Sequence, residues 1–180
     1  HVRNALAVLA AAVESGIDLR DAVRAVGAAE AQSRWRMEVH QLADGITLVN
    51  DAYNANPESM RAALTSLAQI GGRRRTVAVL GAMRELGESS LEAHRAVGAE
   101  AVDRGIDVVV AVGADAAAIA DAAQQGGAVT HRPEDTDSAY ELLVSHLRPG
   151  DVVLFKSSRD SGLRYLGDRI TDRFKAEGAT

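Results

Sequence analysis

Cysteine is absent from all 180 residues, which removes disulfides, thiolate nucleophiles and cysteine-ligated zinc or iron–sulfur sites together. That absence fits a reducing compartment. Aromatic residues make up only 3% of the chain, so a core has to be built from Ala, Val, Leu and Ile with its elements packed close. No apolar run approaches the roughly 20 residues that cross a bilayer, and no cationic segment with an apolar stretch and cleavage site opens the chain. The chain is therefore read as cytoplasmic, with no membrane partner. A formal net charge of -5 supplies no basic face, so nucleic acid is not an expected partner either. What is present is a 47% hydrophobic composition, enough for one core and a little more. A start at His1 in place of Met suggests a piece of something longer.

Apolar residues at Val2, Leu6, Leu9 and Val13 recur at helical spacing until Gly16, and Asp18 is placed to cap a second helix carrying Leu19, Ala22, Val23 and Val26. The two form a helical hairpin too small to have its own core. After Arg34 the period changes: Trp35, Met37 and Val39 alternate, Asp44-Gly45 marks a turn, and 46–49 is strand-like, which predicts a β-hairpin. Helices and short apolar strands then alternate to the end, with helices at 57 to about 70 and about 89–104, and strands at 76–80, 108–112, near 129 and 152–155. This pattern predicts an α/β fold: a Rossmann-like, mostly parallel sheet with helices on both faces, preceded by a helical hairpin from an upstream domain. Asn56-Pro57 reads as a helix cap followed by proline in the first turn, and Ser89 with Glu92 as a capping box. The acids Glu134, Asp135 and Asp137 read as a helix start.

Ligands of such sheets bind at the C-terminal strand ends, which nominates segments 50–56, 81–87, 113–115 and 156–159. A phosphate loop ending in Gly-Lys-Ser/Thr is missing; the only lysines are Lys156 and Lys175, and neither follows a glycine. Gly-x-Gly-x-x-Gly is missing too, and the five histidines form no tight ligand cluster, so no metal site is assigned. Asp51 and Lys156 suggest a phospho-receiver, but the strand at 77–80 runs into Gly81-Ala82 with no carboxylate to accept the phosphate. Arg73-Arg74-Arg75 reads as a solvated loop, and His94, on the stripe Leu91, His94, Val97 and Ala101, as a packed imidazole. The segment from Asn50 to Pro57 leaves two readings open. It is a turn with Asn56 as cap and Asp51 solvated, or a polar clamp whose carboxylate accepts from vicinal ribose hydroxyls.

The string Asp-Ala-Tyr-Asn-Ala-Asn-Pro-Glu-Ser-Met at 51–60 and Val-Leu-Gly-Ala-Met-Arg-Glu-Leu-Gly at 79–87 resemble the C-terminal half of the Mur ligases. The likeness extends through His94, Gly98 and 150–154 to Lys156-Ser157-Ser158-Arg159, and back to His1-Val2-Arg3-Asn4-Ala5. It implies that 1–32 are the terminal helices of a central ATP-binding domain and 33–180 a C-terminal Rossmann-like domain. It also implies ATP and Mg2+, held mainly by the upstream domain, with UDP-N-acetylmuramoyl-tripeptide and D-alanyl-D-alanine as substrates of a monomeric ligase. The segment alone is expected to be inactive, with no catalytic residue assigned to it.

Carried over residue by residue, the resemblance assigns Asn4, Arg34, Asp51 and Asn54 to ATP, with Asp51 on the ribose and Arg34 on phosphate. Tyr53, Asn56, Glu85, Lys156, Ser158 and Arg159 fall on the substrate side, where Lys156 and Arg159 would hold the dipeptide carboxylate. The sequence departs from the family at His1, where relatives have asparagine, at Ala82, where they carry an acid, and at Ser157, where they have glycine. Blander readings stand beside these: Arg34 as a surface charge, Glu85 as an exposed loop acid, Lys156 as a residue flanking the last helix. A noncatalytic Rossmann-like module that binds a nucleotide or a partner is the alternative for the whole chain.

Overall fold

The computed structural model describes residues 2–28 and 34–175. His1 and the expected domain boundary between 32 and 33 lie outside the described residues. The chain divides into two compact units, 1–34 and 35–180.

In the first unit, α1 (Val2–Glu14) and α2 (Leu19–Ala28) follow the helical stripes. Gly16, at φ 85°, ends the first helix in the left-handed region that a residue without Cβ enters freely. Asp18 caps the second: its Oδ1 accepts the Arg20 amide at 2.8 Å. Leu6, Val8, Val13, Leu19 and Val23 remain exposed, as expected of about 30 residues without a core of their own.

The second unit is the doubly covered sheet. Its elements are β1 (Glu38–Gln41), β2 (Thr47–Asn50), α3 (Pro57–Gly71), β3 (Thr76–Leu80), α4 (Ser90–Asp103) and β4 (Val108–Ala111). These are followed by α5 (Ala117–Gln125), β5 (Val129–His131), α6 (Thr136–His146), β6 (Val152–Lys156) and α7 (Leu163–Lys175). The strand order is β1-β2-β6-β3-β4-β5. β1 is antiparallel to β2, with Glu38 opposite Asn50, and every other pair is parallel. β2, β3, β4 and β6 are buried at every position, which is why their interiors are apolar on both faces and polar residues occur only at strand ends.

Two apolar layers sandwich the sheet. Met60, Leu64 and Leu67 of α3 pack with Val97 and Ala101 of α4 and Ile119 of α5 on Ala78, Leu80 and Leu154. On the other face Leu143 of α6 and Leu163, Leu166 and Ile170 of α7 meet Val77, Val79, Val153 and Phe155. The alternation within β3 and β6 assigns the two faces. Close packing is literal between α4 and α5, where a Cβ on Gly98 would collide with the Ile119 carbonyl.

Three local expectations are corrected. Trp35 and Met37 are not strand residues; they sit at φ 61° and φ 51°, and the strand begins at Glu38. Ser89 does not cap α4: its backbone is already helical and its Oγ donates to the Leu86 carbonyl at 2.7 Å, closing a single 3-10 turn. The three arginines are not equally solvated. Arg75 Nη1 donates to Asp151 Oδ2 at 2.7 Å, and the Asp151 carboxylate is 1% exposed, so Arg75 neutralises a buried acid at the start of β6. Arg74 bonds Thr47 Oγ1 and the Ile70 carbonyl. Asn56 does cap α3, in a reciprocal box with Ser59, and Asp135 caps α6 with Ser138 in the same way.

Candidate functional site

Three loops leave the C-terminal ends of adjacent strands: 51–56 after β2, 81–87 after β3 and 157–162 after β6. The ladder itself sets their starting points. Asp51 N–H donates to the Phe155 carbonyl at 2.9 Å and Gly81 N–H to the Lys156 carbonyl at 3.0 Å. Ser158 then stitches all three together. Its Oγ accepts the Arg84 amide at 2.9 Å, its N–H donates to the Ala82 carbonyl at 3.0 Å, and its Oγ stands 3.5 Å from the Ala55 carbonyl.

Between the loops opens a cleft of about 510 Å³. Tyr53, Asn54, Asn56, Glu85, Ser158 and Arg159 all line it; these residues span more than 100 positions of sequence and were expected on the ligand edge. Arg84 and Asp160, not anticipated, line it too. Arg84 Nη1 reaches Asp115 Oδ2 at 2.7 Å across exposed surface. That pair borders a second cleft of about 310 Å³ containing Gly113, Ala114 and Asp115. Glu85 is held at φ 64°, a conformation uncommon outside glycine, so its loop is fixed by its surroundings.

Asp51 and Lys156 are not on the cleft lining; they form a nearly dry ion pair. Lys156 Nζ lies 2.7 Å from Asp51 Oδ2, and the two side chains are 3% and 16% exposed. The same ammonium donates to the Asn54 carbonyl at 3.0 Å and the Asp51 carbonyl at 3.3 Å. Asp51 Oδ1 accepts the Met37 amide at 3.0 Å. The left-handed turn at 35–37 that interrupts the predicted strand thus aims a backbone N–H at the candidate ribose acid. Trp35 is fixed in turn: its carbonyl accepts the Tyr53 amide at 3.1 Å, and its indole N–H donates to the Asp168 carboxylate at 3.0 Å.

The guanidinium of Arg36 stacks over the Tyr53 ring at 4.4 Å, with that of Arg159 at 5.9 Å, a cation–π arrangement. Arg36, which carries no motif in the sequence, is brought by this stacking next to a residue of the cleft lining. Arg34 and Asn4 belong to the first unit and are both exposed. His94 is 2% exposed; its Nε2 accepts the Met83 amide at 2.9 Å while Nδ1 faces the Ser90 carbonyl at 2.7 Å. It is a packed imidazole that fixes the 81–87 loop from below. Serine at 157 is accommodated because Gly81 has no side chain: a Cβ there would stand 2.7 Å from that of Ser157. Among the described residues no group of three His, Asp or Glu side chains is arranged to hold a metal ion, and no helix is long and apolar enough to cross a membrane.

Residues 35–159 match the Mur ligase, glutamate ligase domain, and the chain belongs to the Mur ligase family. It is 40% identical over 190 residues to the UDP-N-acetylmuramoyl-tripeptide--D-alanyl-D-alanine ligase of Mycobacterium tuberculosis, covering 94% of this chain and 37% of that protein. Among solved structures, MurF from Acinetobacter baumannii superposes with a TM-score of 0.85 at 31% identity, over 95% of this chain and 37% of that one. MurF from Thermotoga maritima, solved in complex with ADP, gives 0.70 at 25% identity over the same shares. The chain thus spans little more than a third of the length of these relatives.

Proposed function

We propose that this chain is the C-terminal part of a cytoplasmic, monomeric ligase that joins D-alanyl-D-alanine to UDP-N-acetylmuramoyl-tripeptide at the expense of ATP. On this reading the tripeptide carboxylate takes the terminal phosphoryl group of ATP, and the dipeptide amine then displaces phosphate from the acyl phosphate. Residues 1–32 are the closing helices of the central ATP-binding domain, and 33–180 the C-terminal domain. Support comes above all from one observation: the 53–56, 84–86 and 158–160 segments converge on one cleft at the C-terminal strand edge, the edge at which Asp51 and Lys156 form their ion pair.

Asp51 fits a ribose. Each carboxylate oxygen has accepted one hydrogen bond, and a carboxylate offers about four acceptor positions, so two vicinal hydroxyls find acceptors there. Asn54, Asn4 and Arg34 are assigned to the nucleotide, and Tyr53, Asn56, Glu85, Ser158 and Arg159 to the amino substrate, with Arg159 on its carboxylate. The Mg2+ ligands are assigned to the preceding domain, since the described residues hold no group of three His, Asp or Glu side chains gathered for a metal ion. ATP supplies the phosphoryl group, and positioning with charge stabilisation carries the transfer.

The test is phosphate release by a full-length protein carrying this segment, given ATP, Mg2+, the uridine nucleotide tripeptide and D-alanyl-D-alanine. The expected result is dipeptide-dependent release. Asp51→Ala raises KM for ATP, Arg159→Ala raises KM for the dipeptide, and the isolated 180 residues release nothing. A folded, ATP-binding protein without dipeptide-dependent release would instead be a noncatalytic nucleotide- or partner-binding module.

A further inference from the structure

We propose that Lys156 is a positioning residue for the nucleotide site and makes no contact with the dipeptide. The inference rests on the reading of Asp51 as the ribose acid and reassigns the lysine that the sequence places on the substrate side. An ammonium has three N–H donors, and here three acceptors surround it: Asp51 Oδ2 at 2.7 Å, the Asn54 carbonyl at 3.0 Å and the Asp51 carbonyl at 3.3 Å. None is left for a substrate carboxylate. The residue is 2% exposed, so a carboxylate would reach it only after the 51–54 loop had been opened.

The anchor is as rigid as the fold provides. Lys156 ends β6, the strand flanked by β2 and β3, and lies opposite Leu80, while its neighbour Phe155 lies opposite Asn50. Lys156 thereby fixes one oxygen of the Asp51 carboxylate, and the Met37 amide fixes the other. The plane of the carboxylate is set before any nucleotide arrives, and its remaining acceptor directions stay open for two adjacent hydroxyls. Pre-orientation of this kind lowers the cost of binding because the group does not have to be ordered by the ligand.

The experiment compares wild-type full-length protein with Lys156→Met, Lys156→Arg, Asp51→Asn and the Asp51→Asn/Lys156→Met double variant. KM and kcat are measured for each substrate, and ADP affinity by calorimetry. Lys156→Met is expected to raise KM for ATP and weaken ADP by on the order of 10- to 100-fold, the range lost when a charge-assisted hydrogen bond fixing a ligand-binding group is removed. KM for the dipeptide stays within about twofold, Lys156→Arg recovers part of the loss, and the double variant is no worse than Asp51→Asn alone, as for residues acting as a unit. A rise confined to the dipeptide KM, or losses that add in the double variant, would overturn the assignment. Should Lys156→Met not fold, the same division between ATP and dipeptide is read from Lys156→Arg. Wild type that binds ADP without dipeptide-dependent turnover removes the ligase reading and leaves this inference to be decided by the ADP affinities. Unchanged ADP affinity in Asp51→Asn removes the ribose assignment and this inference with it.

Discussion

Asn50 and Gly167 meet where β2 passes under α7: a Cβ on residue 167 would stand 2.5 Å from Asn50 Nδ2. The amide is fully buried and donates to the Arg164 carbonyl at 2.9 Å; its Oδ1 lies 3.4 Å from the Ala52 amide. A helix carbonyl thus accepts from a strand side chain, and the glycine makes the approach possible. Gly167→Ala is expected to cost about 1–3 kcal/mol, the usual penalty of overpacking, measured by urea denaturation. Because Asn50 directly precedes Asp51, nucleotide affinity should fall in the same variant.

His94→Ala removes the acceptor of a buried amide, that of Met83. An unsatisfied buried donor costs about 1–3 kcal/mol, and the lost ring adds a cavity. The expected outcome is a clear drop in thermal midpoint, with faster amide hydrogen exchange concentrated at 81–87.

Asn56→Ala and Ser89→Ala separate a true cap from an apparent one. Asn56 Oδ1 accepts the Ser59 amide at 2.8 Å, and its loss should cost about 1 kcal/mol. Ser89 makes no cap hydrogen bond, so its replacement should stay within about 0.5 kcal/mol of wild type. Equal losses in paired denaturation curves would contradict this assignment.

Burial holds the His131 imidazole below its ordinary value of 6.5, and the neighbouring His146 and Arg75 act in the same direction. The His131 and His146 rings meet edge-on at 5.0 Å. A base whose folded-state pKa is lowered binds fewer protons folded than unfolded, so stability rises with pH in that window. The contribution of His131 is therefore present above the unfolded value and is lost as pH falls from about 6.5 through the lowered folded value. His131→Gln should flatten the thermal midpoint between roughly pH 7 and pH 5. A wild-type slope in that variant would assign the effect to another group.

Most elements were legible because each has one period throughout: the runs at 76–80 and 152–155 fall within β3 and β6, and the stripes of α3 and α7 match the structure. The junction was not legible. Alternation at Trp35, Met37 and Val39 reads as strand, but the Glu38 carboxylate takes the Trp35 amide at 3.0 Å and Asp51 takes that of Met37, and two side chains outweigh the pattern. Lys156 was placed at the strand edge where the structure has it, but its ion pair with Asp51 and its bond to the Asn54 carbonyl were not derivable from the sequence. Its partner stands 105 positions away, and no local spacing encodes which of three adjacent loops an ammonium will bind. The stacking of Arg36 on Tyr53 is hidden for the same reason, because the aromatic partner lies on another loop. Family resemblance identified the 51–60 segment, and the fold supplied what surrounds it.

The sheet order has a consequence for synthesis. β2 and β3 are separated in sequence only by residues 51–75, yet they are not paired, because β6, the last of the six strands in sequence, lies between them. Until 152–156 emerge from the ribosome, both strands have a bare edge in the middle of the future sheet, and such edges recruit other chains. The centre of this sheet is therefore closed only after its other five strands have been made. The strand that closes this gap also carries Lys156, so the ion pair with Asp51 cannot form until that strand has been made.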